Sequence, residues 1–173
     1  MTFRRQRQPT MRTVLYPGSF DPVTNGHLDV ARRASRIFDK VLIAVAENAE
    51  KNPLFTFEER MHLLELACKG IDNIEIVTFR GLLVDAVPAF KACAVLRGIR
   101  AVSDFEYEFQ MALMNRELND LCETLFMMPS PEYSYVSSRL IKEIAKCGGD
   151  ISPFVPEIVR QAIRGKFHSK KGA

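Results

Sequence analysis

The 173-residue chain has no apolar run approaching the roughly 18 residues a membrane-spanning helix requires. Its first ten residues are polar and basic, without the apolar core of a secretory signal. A soluble, cytoplasmic protein is the expectation. Cysteine is scarce: Cys68, Cys93, Cys122 and Cys147 are far apart, form no C-x-x-C pair and have no neighbouring histidine that would complete a zinc set. Reduced, mostly packed thiols are expected rather than a metal centre or a disulfide framework. Two phosphate-binding signatures are also missing. No Walker loop of the form G-x-x-x-x-G-K-S/T occurs, and the first glycine-containing loop does not follow the G-x-G-x-x-G dinucleotide pattern.

Acidic residues are absent from both ends. Arg4, Arg5, Arg7 and Arg12 precede the first predicted strand, and Arg164, Lys166, Lys170 and Lys171 close the chain. Setting these 8 aside leaves 16 basic against 21 acidic residues, so the body carries a formal charge of −5 although the whole chain is at +3. That balance argues against a basic nucleic-acid footprint on the body. Residues 1–10 are expected to be a disordered basic extension ahead of Met11, residues 11–167 one folded domain, and residues 168–173 a short tail. The length suits one α/β domain with a real core.

What the sequence does have is a distinctive strand-to-helix junction. Thr13 to Tyr16 reads as a short buried strand, and from His27 the residues Leu28, Val30, Ala31, Ala34, Ile37 and Phe38 recur at helical spacing. Between them runs Tyr16-Pro17-Gly18-Ser19-Phe20-Asp21-Pro22-Val23-Thr24-Asn25-Gly26-His27. The first N–H groups of such a helix are unpaired and face the loop, so an anion is favoured there. Gly18 and Gly26 are expected to admit close ligand approach, and His27 to point at the bound anion.

Further apolar runs at Val41 to Ala46, Ile74 to Thr78, Ala94 to Arg97 and Thr124 to Met128 read as buried strands. Helical patterns alternate with them: one from the Thr56-Phe57-Glu58-Glu59 capping box to a stop at Gly70, then about Leu82 to Phe90, Asp104 to Leu121, Ser137 to Lys146 and Pro156 to Phe167. Pro88 predicts a kink or an early break in the third helix. The fourth carries apolar residues on more than one face, which fits either a subunit interface or a deeply buried helix. Repeated βα units predict a single-domain, Rossmann-like, doubly wound sheet of five parallel strands with helices on both faces. Its ligand crevice belongs beyond the carboxyl ends of the strands.

The strand-end loops carry matching chemistry. Lys51 follows the second strand, and Arg97-Gly98-Ile99-Arg100 ends the fourth with two guanidinium forks suited to phosphate oxygens. Ser137 and Ser138, just before Arg139, open the fifth helix with hydroxyl and N–H groups.

Thr24-x-Gly26-His27 resembles the T/H-x-G-H signature of the nucleotidyltransferase superfamily. With the Tyr16 to Pro22 run, Phe55-Thr56-Phe57-Glu58-Glu59-Arg60 and the Arg97 to Glu108 segment, the chain resembles the bacterial phosphopantetheine adenylyltransferase family from about Met11 to Phe167. The resemblance implies transfer of an adenylyl group from ATP to 4′-phosphopantetheine, giving dephospho-coenzyme A and pyrophosphate, with Mg2+ assisting and a homohexameric assembly. It implies that His27 stabilises the transition state, that Lys51 and Arg97 hold the acceptor phosphate oriented by Ser19, and that Leu83 lines the acceptor's arm. ATP would be held by Ser19, Phe20, His27, Gly98, Ile99, Arg100, Glu108 and the loop of Tyr133, Ser134, Tyr135, Val136, Ser137, Ser138 and Arg139. A phosphate nucleophile is already anionic, so neither a general base nor a covalent intermediate is required. Ser19 stands where threonine is common in the family, Asn52 where a second lysine often sits, and Arg139 where a third serine is usual. A small adenylyltransferase acting on nicotinamide mononucleotide, a cytidylyltransferase and a catalytically silent nucleotide-binding module are the alternatives, and the Arg97 to Glu108 segment weighs against the first two.

Overall fold

A computed structural model describes residues 11–47, 52–100 and 102–168. The N-terminal extension expected over residues 1–10, the tail beyond residue 168 and Lys51 lie outside the described residues.

Five strands form one sheet in the order β3-β2-β1-β4-β5: β1 (Thr13–Gly18), β2 (Lys40–Ala46), β3 (Ile74–Phe79), β4 (Ala94–Gly98) and β5 (Thr124–Met127). Every neighbouring pair is parallel. The sequence therefore leaves the centre in both directions, and the switch point falls between β1 and β4. β1 is two residues longer than its apolar run suggests, because Pro17 and Gly18 continue in register beside Ala44 and Val45. β4 likewise extends to Gly98, opposite Met127.

Alternation along β1 divides the core in two. Val14 and Tyr16 pack with residues of α1 (Asn25–Ser35), α2 (Phe57–Ala67), α5 (Ser138–Lys146) and α6 (Glu157–His168), including Leu28, Leu64, Ile141 and Ile163. Leu15 faces the other way, towards Ala86 of α3 (Leu83–Ala89), and Val95 of β4 packs there with Val84 and Val87. Both faces are covered, as βα alternation requires.

Local signals explain the helix ends. In the capping box of α2, Thr56 N–H donates to Glu59 Oε2 at 2.8 Å and Glu59 N–H to Thr56 Oγ1 at 3.3 Å. α3 is only seven residues long, with Pro88 its penultimate residue. The helix runs through that proline to within one residue of the expected Phe90, so the early break expected there is not seen. α4 (Val102–Leu118) stops three residues short of the sequence expectation, because Asn119 turns the chain: its Oδ1 accepts from Leu121 N at 3.0 Å and its carbonyl from Cys122 N at 2.9 Å.

α4 is not deeply buried. Phe105, Phe109, Leu113, Met114 and Leu118 are exposed beside the edge strand β5, whose Leu125 and Phe126 are also exposed. Phe105 stacks on Phe109 with ring centroids 5.7 Å apart and meets Phe126 edge-on at 5.9 Å. Among the described residues no helix is long and apolar enough to cross a membrane.

Candidate active site

A cleft of about 290 Å³ opens at the carboxyl ends of β1 and β4, at the switch point. Its floor is built by the β1–α1 turn. Phe20 has a φ of +49°, an uncommon left-handed conformation for a bulky residue, and turns its ring under the loop. There it meets Tyr16 at 5.5 Å and His27 at 5.1 Å, edge-on in both cases. A Cβ on Gly18 would lie 2.9 Å from that ring, and one on Gly26 would lie 3.3 Å from Tyr133 Cβ. Neither glycine takes a positive φ. The protein's own packing therefore crowds a side chain at both positions, the Phe20 ring at Gly18 and Tyr133 at Gly26, where the sequence suggested ligand approach.

His27 is the third residue of α1 and Thr24 its N-cap. Thr24 Oγ1 accepts from His27 N at 3.3 Å, while His27 Nδ1 accepts from Thr24 N at 3.1 Å. A backbone N–H can only donate, so Nδ1 carries the lone pair and the neutral ring bears its proton on Nε2. That nitrogen is left for the cleft. Burial, and then the charges of Arg100 and Arg97, lower the pKa of His27 to about 4. The ring is thus neutral at pH 7 and presents an N–H donor. Asn25 N donates to the Phe154 carbonyl at 2.8 Å. With His27 N held by Thr24, Gly26 N–H remains uncommitted among the described residues.

The opposite wall comes from the β4–α4 junction. Arg97 Nε donates to Glu108 Oε2 at 2.6 Å, Nη2 donates to Glu108 Oε1, and Nη1 donates to the Pro17 carbonyl at 2.9 Å. Burial works against the Arg97 charge, and the Glu108 ion pair more than restores it, so its pKa stands above the usual value. Arg100 joins two loops, with Nε donating to Asp104 Oδ2 at 3.0 Å and Nη1 to the Val136 carbonyl at 2.9 Å. Tyr16, buried between these groups, has its phenol pKa pushed upward by desolvation and stays protonated.

The third wall is the start of α5. Ser137 caps the helix, its Oγ accepting from Leu140 N at 3.1 Å, and Ser138 Oγ donates to the Pro22 carbonyl at 2.7 Å. Ser137 keeps its hydroxyl proton to donate, whereas that of Ser138 is engaged. Arg139 reaches the rim and pairs with Glu143 at 3.0 Å.

Of the residues singled out in the sequence, Ser19, Phe20, His27, Arg97, Gly98, Arg100, Glu108, Val136, Ser137, Ser138 and Arg139 line this one cleft. Leu83 does not. It lines a smaller cavity of about 110 Å³ with Met111, Asn115 and Thr124, and Arg97 and Glu108 border both spaces. Ile99 is drawn into the sheet edge, its N–H donating to the Met127 carbonyl at 3.1 Å. Tyr133 packs on Gly26, Ser134 Oγ donates to the Pro131 carbonyl at 2.8 Å, and Tyr135 is exposed against Phe154. None of these four lines the cleft.

Two buried charges that sequence reading did not single out hold the site together. Asp21 accepts from Leu54 N and Phe55 N, both at 2.9 Å, and from Lys142 Nζ at 2.8 Å. Arg60 Nη1 donates to the Ser19 carbonyl at 2.8 Å and to that of Ala46 at 3.3 Å. Thr24 was named only as part of a motif, although threonine three residues before a helix-facing polar side chain is itself a capping signal.

A Rossmann-like sheet with a Gly-His helix start and two arginines at its switch point has the architecture of a nucleotidyltransferase, and the comparisons agree. The sequence model of the cytidylyltransferase-like family matches residues 15–144. A solved Vibrio parahaemolyticus structure described as a nicotinate-nucleotide adenylyltransferase superposes with a TM-score of 0.64 at 18% identity, covering 90% of this chain and 93% of that one, which speaks to the fold alone. The particular family follows from closer relatives. The chain is 52% identical over 157 residues to the phosphopantetheine adenylyltransferase of Caldanaerobacter subterraneus subsp. tengcongensis, spanning 91% of this chain and 98% of the relative. It is 53% identical over 161 residues to that of Hahella chejuensis, spanning 93% and 100%. The chain belongs to the phosphopantetheine adenylyltransferase family and is a nucleotidyltransferase.

Proposed function

We propose that this enzyme transfers the adenylyl group of ATP to the phosphate of 4′-phosphopantetheine, forming dephospho-coenzyme A and pyrophosphate by direct in-line attack. The observation that carries the reading is the convergence of a neutral, Nε2-protonated His27 and the paired Arg97 on one cleft between two helix starts. An acceptor phosphate needs no base to become a nucleophile. The site's work is to align two anions and to stabilise the charge that grows on the α-phosphate. His27 Nε2–H, Gly26 N–H and the start of α5 supply donors for the nucleotide. Arg97, with Lys51 from beyond the described residues, takes the acceptor phosphate. The small cavity bordered by Leu83 lies on the far side of the Arg97–Glu108 pair, where the acceptor's arm extends away from the reacting phosphates.

Magnesium fits this site as an ion carried on the phosphates of ATP. Glu108, the acidic residue lining the cleft, gives both oxygens to Arg97. Among the described residues no three His, Cys, Asp or Glu side chains cluster as an ion's ligands. Bound there, the ion would shield the charge of the β- and γ-phosphates while the chain's own N–H donors act on the α-phosphate.

A cytoplasmic homohexamer belongs to the same proposal. The exposed Phe105, Phe109 and Phe126 cluster supports self-association, because so contiguous an apolar face is unusual on a monomer. Light scattering at micromolar concentration is expected to give six chain masses, and a monomer would end that part of the reading. The body's acidic balance weighs against nucleic acid as a partner. The deciding assay is pyrophosphate release from ATP and magnesium with 4′-phosphopantetheine or with nicotinamide mononucleotide. Release with the first acceptor and little with the second is expected, and the reverse preference overturns the proposal.

A further inference from the structure

Resting on the adenylyl-transfer reading, we propose that the Tyr16 hydroxyl and the bare backbone of Gly98 form the seat for the nucleoside of ATP, with the hydroxyl as its hydrogen-bonding group. A side chain of the central strand β1 thereby joins a nucleotide grip otherwise drawn from the loops and helix starts.

The hydroxyl is open where a ligand can reach it. Tyr16 is only 4% exposed, and its ring packs in the core with Val14 and Leu28 and meets Phe20 edge-on at 5.5 Å. Its backbone is held in the sheet opposite Ile43 of β2, so the fold fixes where the phenol oxygen lies. A buried phenol normally finds a hydrogen-bond partner. This one makes no hydrogen bond among the described residues, and Tyr16 lines the cleft. The protonated hydroxyl is left to donate to, and accept from, whatever occupies that space.

Gly98 beside it supports the same assignment. Its φ is not positive, so conformational freedom does not call for glycine there. A Cβ on Gly98 would lie 3.5 Å from the Tyr16 hydroxyl oxygen and 3.6 Å from Val30 Cγ2, both ordinary contact distances, with nothing else within 4 Å. The protein crowds Gly18 and Gly26, whereas at Gly98 it leaves room for a methyl group. Tyr16, Val30 and Gly98 all line the cleft, so the space that methyl would take belongs to the cleft.

The seat is uncharged: one apolar methyl, a bare peptide and a neutral hydroxyl. The two guanidiniums whose charges reach Tyr16 are paired, Arg97 with Glu108 and Arg100 with Asp104. Phosphates are better served by His27, the Gly26 N–H and the start of α5. A flat group with hydrogen-bonding edges, which is what a nucleoside offers, matches the seat.

Titration calorimetry with ATP, AMP and pyrophosphate on wild type, Y16F and G98A, alongside steady-state kinetics, tests the seat. Y16F removes one oxygen and keeps the ring. It is expected to weaken ATP and AMP about fivefold, the scale of one uncharged hydrogen bond, with pyrophosphate affinity and kcat within about twofold of wild type. G98A is expected to weaken both nucleotides about tenfold by filling the seat, with a melting temperature at or above that of wild type. Unchanged ATP and AMP affinities in Y16F would mean that the hydroxyl meets only water, and would overturn the proposal. An equal loss of pyrophosphate affinity would overturn the assignment to the nucleoside. A lowered melting temperature in G98A would make Gly98 a packing residue and remove it from the seat. A wild type that binds ATP and AMP with the expected variant pattern, yet transfers nothing to 4′-phosphopantetheine, refutes the transfer reading and leaves the seat. An active wild type with the wrong pattern refutes the seat alone.

Discussion

The backbone N–H of Thr24 donates to Nδ1 of His27 at 3.1 Å, so the ring that faces the cleft is held in one tautomer by the N-cap of its own helix. A general base would need a lone pair where this ring has a proton. His27 is therefore built to donate, which suits stabilisation of a charged α-phosphate.

The first expectation concerns that donor. His27→Ala should lower kcat by about 10²–10³, the usual cost of one oxyanion-type donor, with a much smaller change in ATP affinity. His27→Gln, whose amide N–H can approach the Nε2 position, should retain more activity than alanine. Equal losses in ATP binding and turnover for alanine would show that the ring serves binding only.

Thr24 separates stability from chemistry. Thr24→Ala removes the hydroxyl cap and should cost about 1 kcal/mol of stability. It keeps the backbone N–H that sets the tautomer, so kcat should fall far less than in His27→Ala, and Thr24→Ser should restore the melting temperature. Chemical denaturation and turnover on the same three proteins check this.

The depressed pKa of His27 has a sign that stability can reveal. Its folded value of about 4 lies below the ordinary 6.5, so between these limits the unfolded chain binds a proton that the folded chain refuses. The contribution is fully present above about pH 6.5 and is lost as the pH falls towards 4. His27→Gln should flatten the fall in stability over that window, and NMR titration of the wild-type ring should find it neutral at pH 6. Because Arg100 and Arg97 are part of the cause, bound ATP phosphates should raise the ring's pKa.

The fold was legible because each level of the sequence pointed the same way: apolar runs for strands, the Thr56 to Glu59 box for a helix start, Gly70 for a helix end. The strand ends were less so, because Pro17 and Gly18 look like loop residues and become strand only by pairing with Ala44 and Val45. The cleft residues Arg97, Gly98 and Arg100 were legible from their place at a strand end. Their partners were not. That Arg97 is held by Glu108 and Pro17 depends on α4 following β4 and on β4 pairing beside β1, a relation across 80 residues on one side that no local pattern encodes. Asp21 was hidden for the same reason, since an aspartate before proline reads as a turn residue until the fold buries it.

Asp21 carries the last expectation. It is fully buried and anchors two backbone N–H groups of the chain entering α2 and the ammonium of Lys142 on α5. Removing one member of a buried pair leaves the other charge uncompensated, here together with two unsatisfied N–H groups. Asp21→Ala should therefore destabilise by about 3–5 kcal/mol. Lys142→Ala should cost less, because the carboxylate keeps both backbone donors and Lys142 is itself partly open to water. Asp21→Asn should fall between them, as an amide oxygen can accept from one N–H but offers Lys142 no charge. Denaturant midpoints for the three variants give the order directly, and a Lys142→Ala loss equal to that of Asp21→Ala would mean that the ion pair, rather than the backbone anchoring, is what holds the turn under Ser19.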